Sequence, residues 1–314
     1  MSKIAIVGCG LVGQSWAAVF ATAGFEVVIY DPLAEAADRA LKSMETRIAD
    51  LIEFELIDSA NAAKALQRIT VASNLENAIE GAIYIQESGP EDINIKREIT
   101  QTLDSLAAKN VPICSSTSGI AASRYCEHIE GRHRCLVVHP INPPHLIPAV
   151  EIVPTRWTEQ DIIATVDDLL IQCRRETIVL KEEIDGFVVN RLQGALLEEA
   201  FKLIGAGIVS ATDLDKAVSH GLGLRWSFMG PMQTIHLNAP GGVTQYVERY
   251  GQMYRDFGFG PYDTVDWRKV ADEKLESELG HKTPLADIPD AQNDRDRKLM
   301  ALLRHKAQVH TNSQ

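Results

Sequence analysis

The chain has 314 residues, 45% of them hydrophobic, and a formal net charge of −12. That length supports two domains, each with its own core. The acidic balance argues against a nucleic-acid or anionic-membrane partner, because a phosphate surface demands an excess of Lys and Arg, so the expected ligand is a small molecule.

Taken in chain order, KIAIVG reads as a strand, GCGLVG as a glycine turn, QSWAAVFATAG as a helix and EVVIYD as a second strand. Further strand-like runs are AIYIQES, VPICSS, CLVVH, VEIV and TIVLK. Strands alternating with helical segments imply a mainly parallel sheet covered on both faces. From Asp185 the texture changes. GFVVNRLQGALLEEAFKLIGAG keeps a helical apolar spacing, and in SATDLDKAVSHG, Ser210 and Asp213 sit like an N-terminal cap and Gly221 like a helix stop. Two domains are expected, residues 1–184 and an all-helical 185–314. A peripheral helix around Leu299 to Leu303 and a frayed end close the chain.

Cys9, Cys114, Cys126, Cys135 and Cys173 are widely spaced and odd in number, which suits neither a disulfide framework nor a zinc knuckle. They read as buried thiols in a reducing compartment. No run approaches the roughly 20 apolar residues of a membrane span, and the apolar N-terminus is broken by glycines and lacks a cleavage site. A cytoplasmic protein without a metal site is expected.

The stretch Gly8-Cys9-Gly10-Leu11-Val12-Gly13 fits G-x-G-x-x-G between a strand and a helix, with Asp31 closing the second strand. This is the context of a Rossmann-type dinucleotide site. The first glycine permits the tight turn, the second lets the backbone approach a pyrophosphate, and the third allows close helix–sheet packing. The helix N-terminus offers N–H groups and a positive dipole end to phosphates. Asp31 would accept from the ribose hydroxyls and repel a 2′-phosphate, and Pro32 adds no cation, so NAD is expected over NADP. A solvated turn aspartate is the alternative for Asp31.

His139 closes the strand RCLVVH, and Glu151 lies twelve residues on, inside AVEIVP, with five prolines between Pro140 and Pro154. Prolines make the link extended and stiff. A lone carboxylate in an apolar run is costly to bury unless paired, and a histidine supplies the pairing. The chemistry that follows is hydride transfer from a secondary alcohol, with imidazole taking the hydroxyl proton and the carboxylate stabilising the imidazolium. The alternative is a satisfied strand-end histidine and a glutamate facing solvent on an edge strand.

The ordered set of G-x-G-x-x-G, S-S-T-S-G, H-P-x-N-P, Glu151 and G-F-V-x-N-R-L resembles the 3-hydroxyacyl-CoA dehydrogenase superfamily over nearly the whole chain. Through GLGLRWSFMGPMQTIHLNAPGG it is most similar to the lambda-crystallin / L-gulonate 3-dehydrogenase branch. The resemblance implies His139 as catalytic base with Glu151 as partner, and Ser118 and Asn190 as polar contacts to substrate or histidine. It also implies Glu91 and Lys96 at the nicotinamide side, and Asn142 at the substrate. Each has a plainer reading: a turn serine, a loop asparagine, an exposed helix position, and a surface ion pair between Lys96 and Glu91.

Arg225 is a candidate grip on a substrate carboxylate, or half of a structural salt bridge. Residues 38–68 carry six acidic against five basic residues, which disfavours the phosphates of a CoA substrate. An L-carnitine substrate would want an aromatic or acidic cage, for which Trp226, Phe228 and Tyr246 are candidates. A crystallin-like structural protein is the non-enzyme alternative. Dimerisation of the family through its helical domain implies a homodimer.

Overall fold

A computed structural model describes residues 2–227, 229–256, 269, 273 and 284–311. The strands are β1 Lys3–Val7, β2 Glu26–Tyr30, β3 Ile69–Val71, β4 Ala82–Glu87, β5 Ile113–Ser115, β6 Cys135–Pro140, β7 Ala149–Pro154 and β8 Glu176–Val179. They form one sheet in the order β3-β2-β1-β4-β5-β6-β7-β8. Every pairing is parallel except β6 with β7, which is antiparallel. The sheet is therefore mainly parallel, as the alternating pattern predicts. β3 escaped the sequence reading because three residues, two of them exposed, carry no measurable alternation.

Side chains alternate between two cores, as the pleat requires. Ile4, Ile6, Leu136 and Val138 face one core with α1 (Leu11–Thr22), α2 (Ala34–Glu53), α3 (Ser59–Gln67) and α7 (Gln160–Gln172). Ala5, Val7, Cys135 and Val137 face the other, beside α4 (Leu75–Ile79), α5 (Ile93–Leu106) and α6 (Ser123–Cys126). With both faces covered, the central strands are mostly apolar, interrupted by the buried polar residues Gln86, Glu87, Ser115, His139 and Glu151. α1 is buried from Ser15 to Ala21, and Trp16 stacks on Phe20 at 5.2 Å between ring centroids. Buried aromatic pairs of this kind add about 0.5–1.5 kcal/mol beyond their area.

The chain divides into two compact units, Met1–Val189 with Asp294–Gln314, and Asn190–Asn293. The division lies slightly past the 184/185 boundary drawn from sequence, and the end of the chain groups with the first unit instead of the helical one. Packing explains this return. In the C-terminal helix Ile288–Thr311, Met300 is buried with Leu51 of α2 and Leu146 of the β6–β7 loop. Arg297 donates to Glu53 at 3.0 Å and Arg304 to Glu55 at 2.6 Å. The frayed end expected beyond this helix lies outside the described residues.

The second unit is helical among its described residues: α8 Val189–Gly205, α9 Ala211–Lys216, α10 Gly223–Trp226, α11 Pro231–Leu237 and α12 Gly242–Asp256. Ser210 caps α9, its hydroxyl accepting from the Asp213 N–H at 3.1 Å. Gly221 is not a stop: the backbone continues as a π-turn over Ala217–Leu222 into α10. Gly221 is absent from the residues with positive φ, so it supplies no left-handed terminus.

Candidate active site

The glycine turn is shaped by contacts that only glycine tolerates. Gly8 has φ +102°, and a Cβ there would lie 2.6 Å from the Ser88 carbonyl oxygen. At Gly13 a Cβ would lie 1.9 Å from the Gly8 oxygen. Gly10 instead faces open space, and α1 has no side-chain cap. Its first-turn N–H groups are thus available to a phosphate, with Leu11 72% exposed and Val12 half-buried beside them. Asp31 closes the cradle, accepting from the Cys9 N–H at 2.8 Å through one oxygen and from the Leu33 N–H at 2.9 Å through the other. Each carboxylate oxygen keeps acceptor capacity for a ribose hydroxyl. These residues fit a dinucleotide, and Asp31 is tied to the loop and does not stand as a free turn residue.

At the ends of β4 and β5 the structure assembles a polar group that the sequence did not announce. Glu87 is 1% exposed and lies nine residues before Lys96, which is equally buried. Lys96 Nζ donates to the two Glu87 oxygens at 3.2 and 2.9 Å. Glu87 also accepts from the Gly89 N–H at 2.6 Å and from the Ser115 hydroxyl at 2.5 Å. Glu91, the surface partner of Lys96 in the plainer reading, is the more distant carboxylate at 4.0 Å. Its other oxygen accepts from the Thr117 hydroxyl at 2.5 Å and from the Ser118 and Gly119 N–H groups at 3.2 Å each. Glu91 therefore holds the turn that carries Ser118, and Ser118 itself is exposed. On the opposite pleat, Ser116 accepts from Trp16 Nε1 at 3.2 Å and from Gln86 Nε2 at 2.8 Å.

His139 and Glu151 are directly opposite partners in the antiparallel β6–β7 register. Their side chains fall on the same sheet face, and His139 Nδ1 lies 2.8 Å from Glu151 Oε2. β7 is an interior strand between β6 and β8, and Glu151 is 0% exposed. The reading of a solvent-facing edge glutamate is thereby excluded. Glu151 Oε1 accepts from the Val188 and Val189 N–H groups at 2.7 and 3.0 Å. Burial raises the Glu151 pKa, but the His139 bond and the two backbone donors outweigh it and hold the carboxyl below its ordinary 4.5. An ionised Glu151 accepts the Nδ1 proton, which leaves Nε2 as the free lone pair.

Phe187 completes this corner, its ring 5.4 Å from the His139 ring. It is 0% exposed and has φ +51°, a left-handed conformation that costs a non-glycine residue about 1–3 kcal/mol. Gly186, also left-handed, precedes it. Together they bend G-F-V-V inward so that two successive N–H groups meet one carboxylate oxygen. The motif itself was legible, but the backbone role of Val188 and Val189 was not.

Of the remaining candidates, Asn142 is exposed in the β6–β7 loop, before a cis bond to Pro143. Asn190, half-buried at the start of α8, and Arg225, exposed on α10, belong to the second unit. Phe228 lies outside the described residues. Tyr246 is on α12, with ring centroids 4.9 Å from Tyr250 and a hydroxyl 2.8 Å from that of Tyr254. Among the described residues no group of His, Cys, Asp or Glu is arranged to hold a metal, and no helix is long and apolar enough to cross a membrane.

Comparison with known proteins agrees with this geometry. Residues 3–183 match the 3-hydroxyacyl-CoA dehydrogenase NAD binding domain, and residues 186–283 match the C-terminal domain of the same family. A human lambda-crystallin homolog is 35% identical, covering 98% of this chain and 97% of its own. An L-carnitine dehydrogenase of Streptomyces coelicolor is 33% identical, covering 96% and 94%. Among solved structures, 5-formyl-3-hydroxy-2-methylpyridine 4-carboxylic acid 5-dehydrogenase, an NAD+-dependent dismutase, superposes with a TM-score of 0.81 at 28% identity, covering 97% and 98%. The chain belongs to the 3-hydroxyacyl-CoA dehydrogenase family and is an NAD-dependent oxidoreductase acting on a hydroxyl group.

Proposed function

We propose that the chain oxidises the 3-hydroxyl of a small hydroxy acid, in the manner of an L-gulonate 3-dehydrogenase, with His139 and Glu151 as its general-base pair. The observation that carries this reading is the His139–Glu151 bond at 2.8 Å inside a buried corner, with the second carboxylate oxygen held by Val188 and Val189. NAD, when bound, supplies the hydride acceptor. His139 Nε2 takes the hydroxyl proton as the C–H bond breaks, and the imidazolium that forms is stabilised by a carboxylate that cannot turn away. A base so positioned contributes about 10²–10⁴ in rate. Ser118 and Asn142, both exposed, and Asn190 are assigned to the substrate's polar groups, and Arg225 to its carboxylate. Glu91 and Lys96 act at the nicotinamide side. Lys96, 1% exposed, contributes there as a fixed countercharge and not as a contact.

An acidic α2–α3 segment supports a small acid over an acyl-CoA. A second reading, L-carnitine as substrate, draws on the Streptomyces relative and on the Tyr246, Tyr250 and Tyr254 cluster, which offers aromatic faces to a quaternary ammonium. The test is NADH formation from L-gulonate, L-carnitine, 3-hydroxybutyrate and 3-hydroxybutyryl-CoA, with His139→Ala as the blank. Turnover of one small acid by the wild type alone supports the proposal. Turnover of the CoA ester alone overturns it, and silence on the whole panel with NADH still bound favours a crystallin-like structural role.

We further infer a cytoplasmic homodimer. Five buried free cysteines suit a reducing compartment. Leu192, Leu224, Met232 and Leu237 of the helical unit are each at least 60% exposed, more apolar surface than a lone small domain ordinarily leaves to water. Cell fractionation and sedimentation equilibrium check the two statements, and a monomer at micromolar concentration refutes the second.

A further inference from the structure

Glu87 takes no part in the chemistry described above, yet its carboxylate is the most heavily used acceptor at the cofactor end of the site. It sits at the C-terminal end of β4, in register with Val7, the residue before the glycine turn. Four hydrogen bonds converge on it from three segments: Gly89 N–H just after β4, Ser115 on β5, and two from Lys96 on α5. The Gly89 bond matters most for cofactor geometry. A Cβ on Gly8 would lie 2.6 Å from the Ser88 oxygen and 2.9 Å from the Gly89 nitrogen, so the Ser88–Gly89 turn forms one wall of the glycine cradle. Ser88 also donates its N–H to the Val7 oxygen at 2.7 Å. Lys96 extends the arrangement, because its ammonium lies between Glu87 and Glu91, and Glu91 in turn holds the Thr117–Gly119 turn.

We propose that Glu87 is a positioning residue for cofactor binding: its buried carboxylate holds the Ser88–Gly89 wall against Gly8 and, through Lys96, sets it against the turn that presents Ser118. A buried ion pair is weak support for a stability role alone, since well-packed apolar replacements often match it. The geometric gain lies in the donors it gathers. This inference rests on NAD binding at the glycine turn and is independent of which alcohol is oxidised.

The test separates positioning from stability by measuring NADH affinity through fluorescence, without substrate, alongside the melting temperature. In Glu87→Leu/Lys96→Met the ion pair is replaced by apolar side chains, so no buried charge is left unpaired, but Gly89 and Ser115 lose their acceptor. The two unmet donors lower the melting temperature, by no more than in the control below, while the Kd for NADH is expected to rise about tenfold, the weight of one hydrogen bond to a charged group. Asp104→Asn is the control. Asp104 pairs at 2.6 Å with the fully buried Arg134, two helical turns further along α5. It should lower the melting temperature and leave NADH affinity unchanged.

A wild-type Kd in the double variant overturns the proposal, as does an equal loss of affinity in Asp104→Asn. If the double variant does not fold, Glu87→Gln carries the test. It retains a single acceptor oxygen and loses the charge that holds Lys96, so a several-fold rise in Kd is expected and a wild-type Kd refutes the role. Because no turnover is read, failure here leaves the hydroxy-acid reading untouched, and silence on the substrate panel leaves this inference untouched.

Discussion

Glu151→Gln keeps the shape of the His139–Glu151 corner and changes its electrostatics, which makes it the sharpest test of the proposed base. The carboxylate serves three N–H donors: His139 Nδ1, Val188 and Val189. An amide has one acceptor oxygen. If that oxygen faces His139, the NH₂ confronts the two backbone donors, and an unmet buried donor costs about 1–3 kcal/mol. If the amide flips, NH₂ donates to Nδ1 and the imidazole proton moves to Nε2, the atom proposed to accept the substrate proton.

The rate effect follows from the lost charge. With Nδ1 and Oε2 2.8 Å apart, the charge centres are separated by about 4 Å, and at an effective dielectric of about 20 their attraction is about 4 kcal/mol. Allowing for the amide dipole, about 3 kcal/mol disappears from imidazolium stabilisation, or about two decades in kcat. The assay is NADH formation at saturating NAD and substrate, with NADH affinity measured separately and expected to be unchanged. Wild-type turnover in Glu151→Gln would refute the role of the pair.

Further outcomes follow from the same geometry. Because the Glu151 pKa is depressed in the folded chain, its stabilising contribution is complete above its ordinary 4.5 and is lost as pH falls through the lower folded value; melting curves of wild type and Glu151→Gln should converge in acid. Gly13→Ala should abolish NADH binding, since the added methyl overlaps the Gly8 carbonyl oxygen, and calorimetric titration with NADH checks it. Asp31→Asn should weaken NAD and narrow its advantage over NADP, read from kcat/KM with each cofactor; unchanged ratios would remove Asp31 from the ribose site. Burial and the charges of Arg47 and Arg175 lower the His145 pKa to about 3, so the unfolded chain binds a proton there that the folded one does not. Below pH 6.5 this lowers stability by about 1 kcal/mol per pH unit down to about pH 3, and His145→Gln should flatten that slope in chemical denaturation.

Much of the site was legible along the chain because its signals are local. The glycines of residues 8–13 needed only their spacing and a flanking strand and helix, and Asp31 only its place at the end of the next strand. The His139–Glu151 pair could be inferred from cost: a carboxylate in an apolar strand must find a partner, and a stiff proline-rich link of known length brings one within reach. The helical texture after Asp185 was readable because a 3.6-residue period survives in any window of sufficient length.

The features that stayed hidden depend on distances the chain does not count. Glu87 lies in IQES without a neighbouring cation, and its pairing with Lys96 and Ser115 appears only when β4 and β5 lie side by side under α5. The bend at Gly186 and Phe187, which turns two plain valines into the donors that orient Glu151, is a backbone conformation that side-chain patterns do not encode. The return of Met300 to Leu51 and Leu146 joins residues far apart in sequence, and near-neighbour propensities carry no information about such a contact. The sequence by itself determined the periodicities, the glycine turn and the pairing of His139 with Glu151, since these arise from local sterics and the cost of burying charge. Only the tertiary structure decided which carboxylate holds Lys96, which N–H groups hold Glu151 and where the last helix lies, because those follow from strand order and register, set by the packing of the whole sheet.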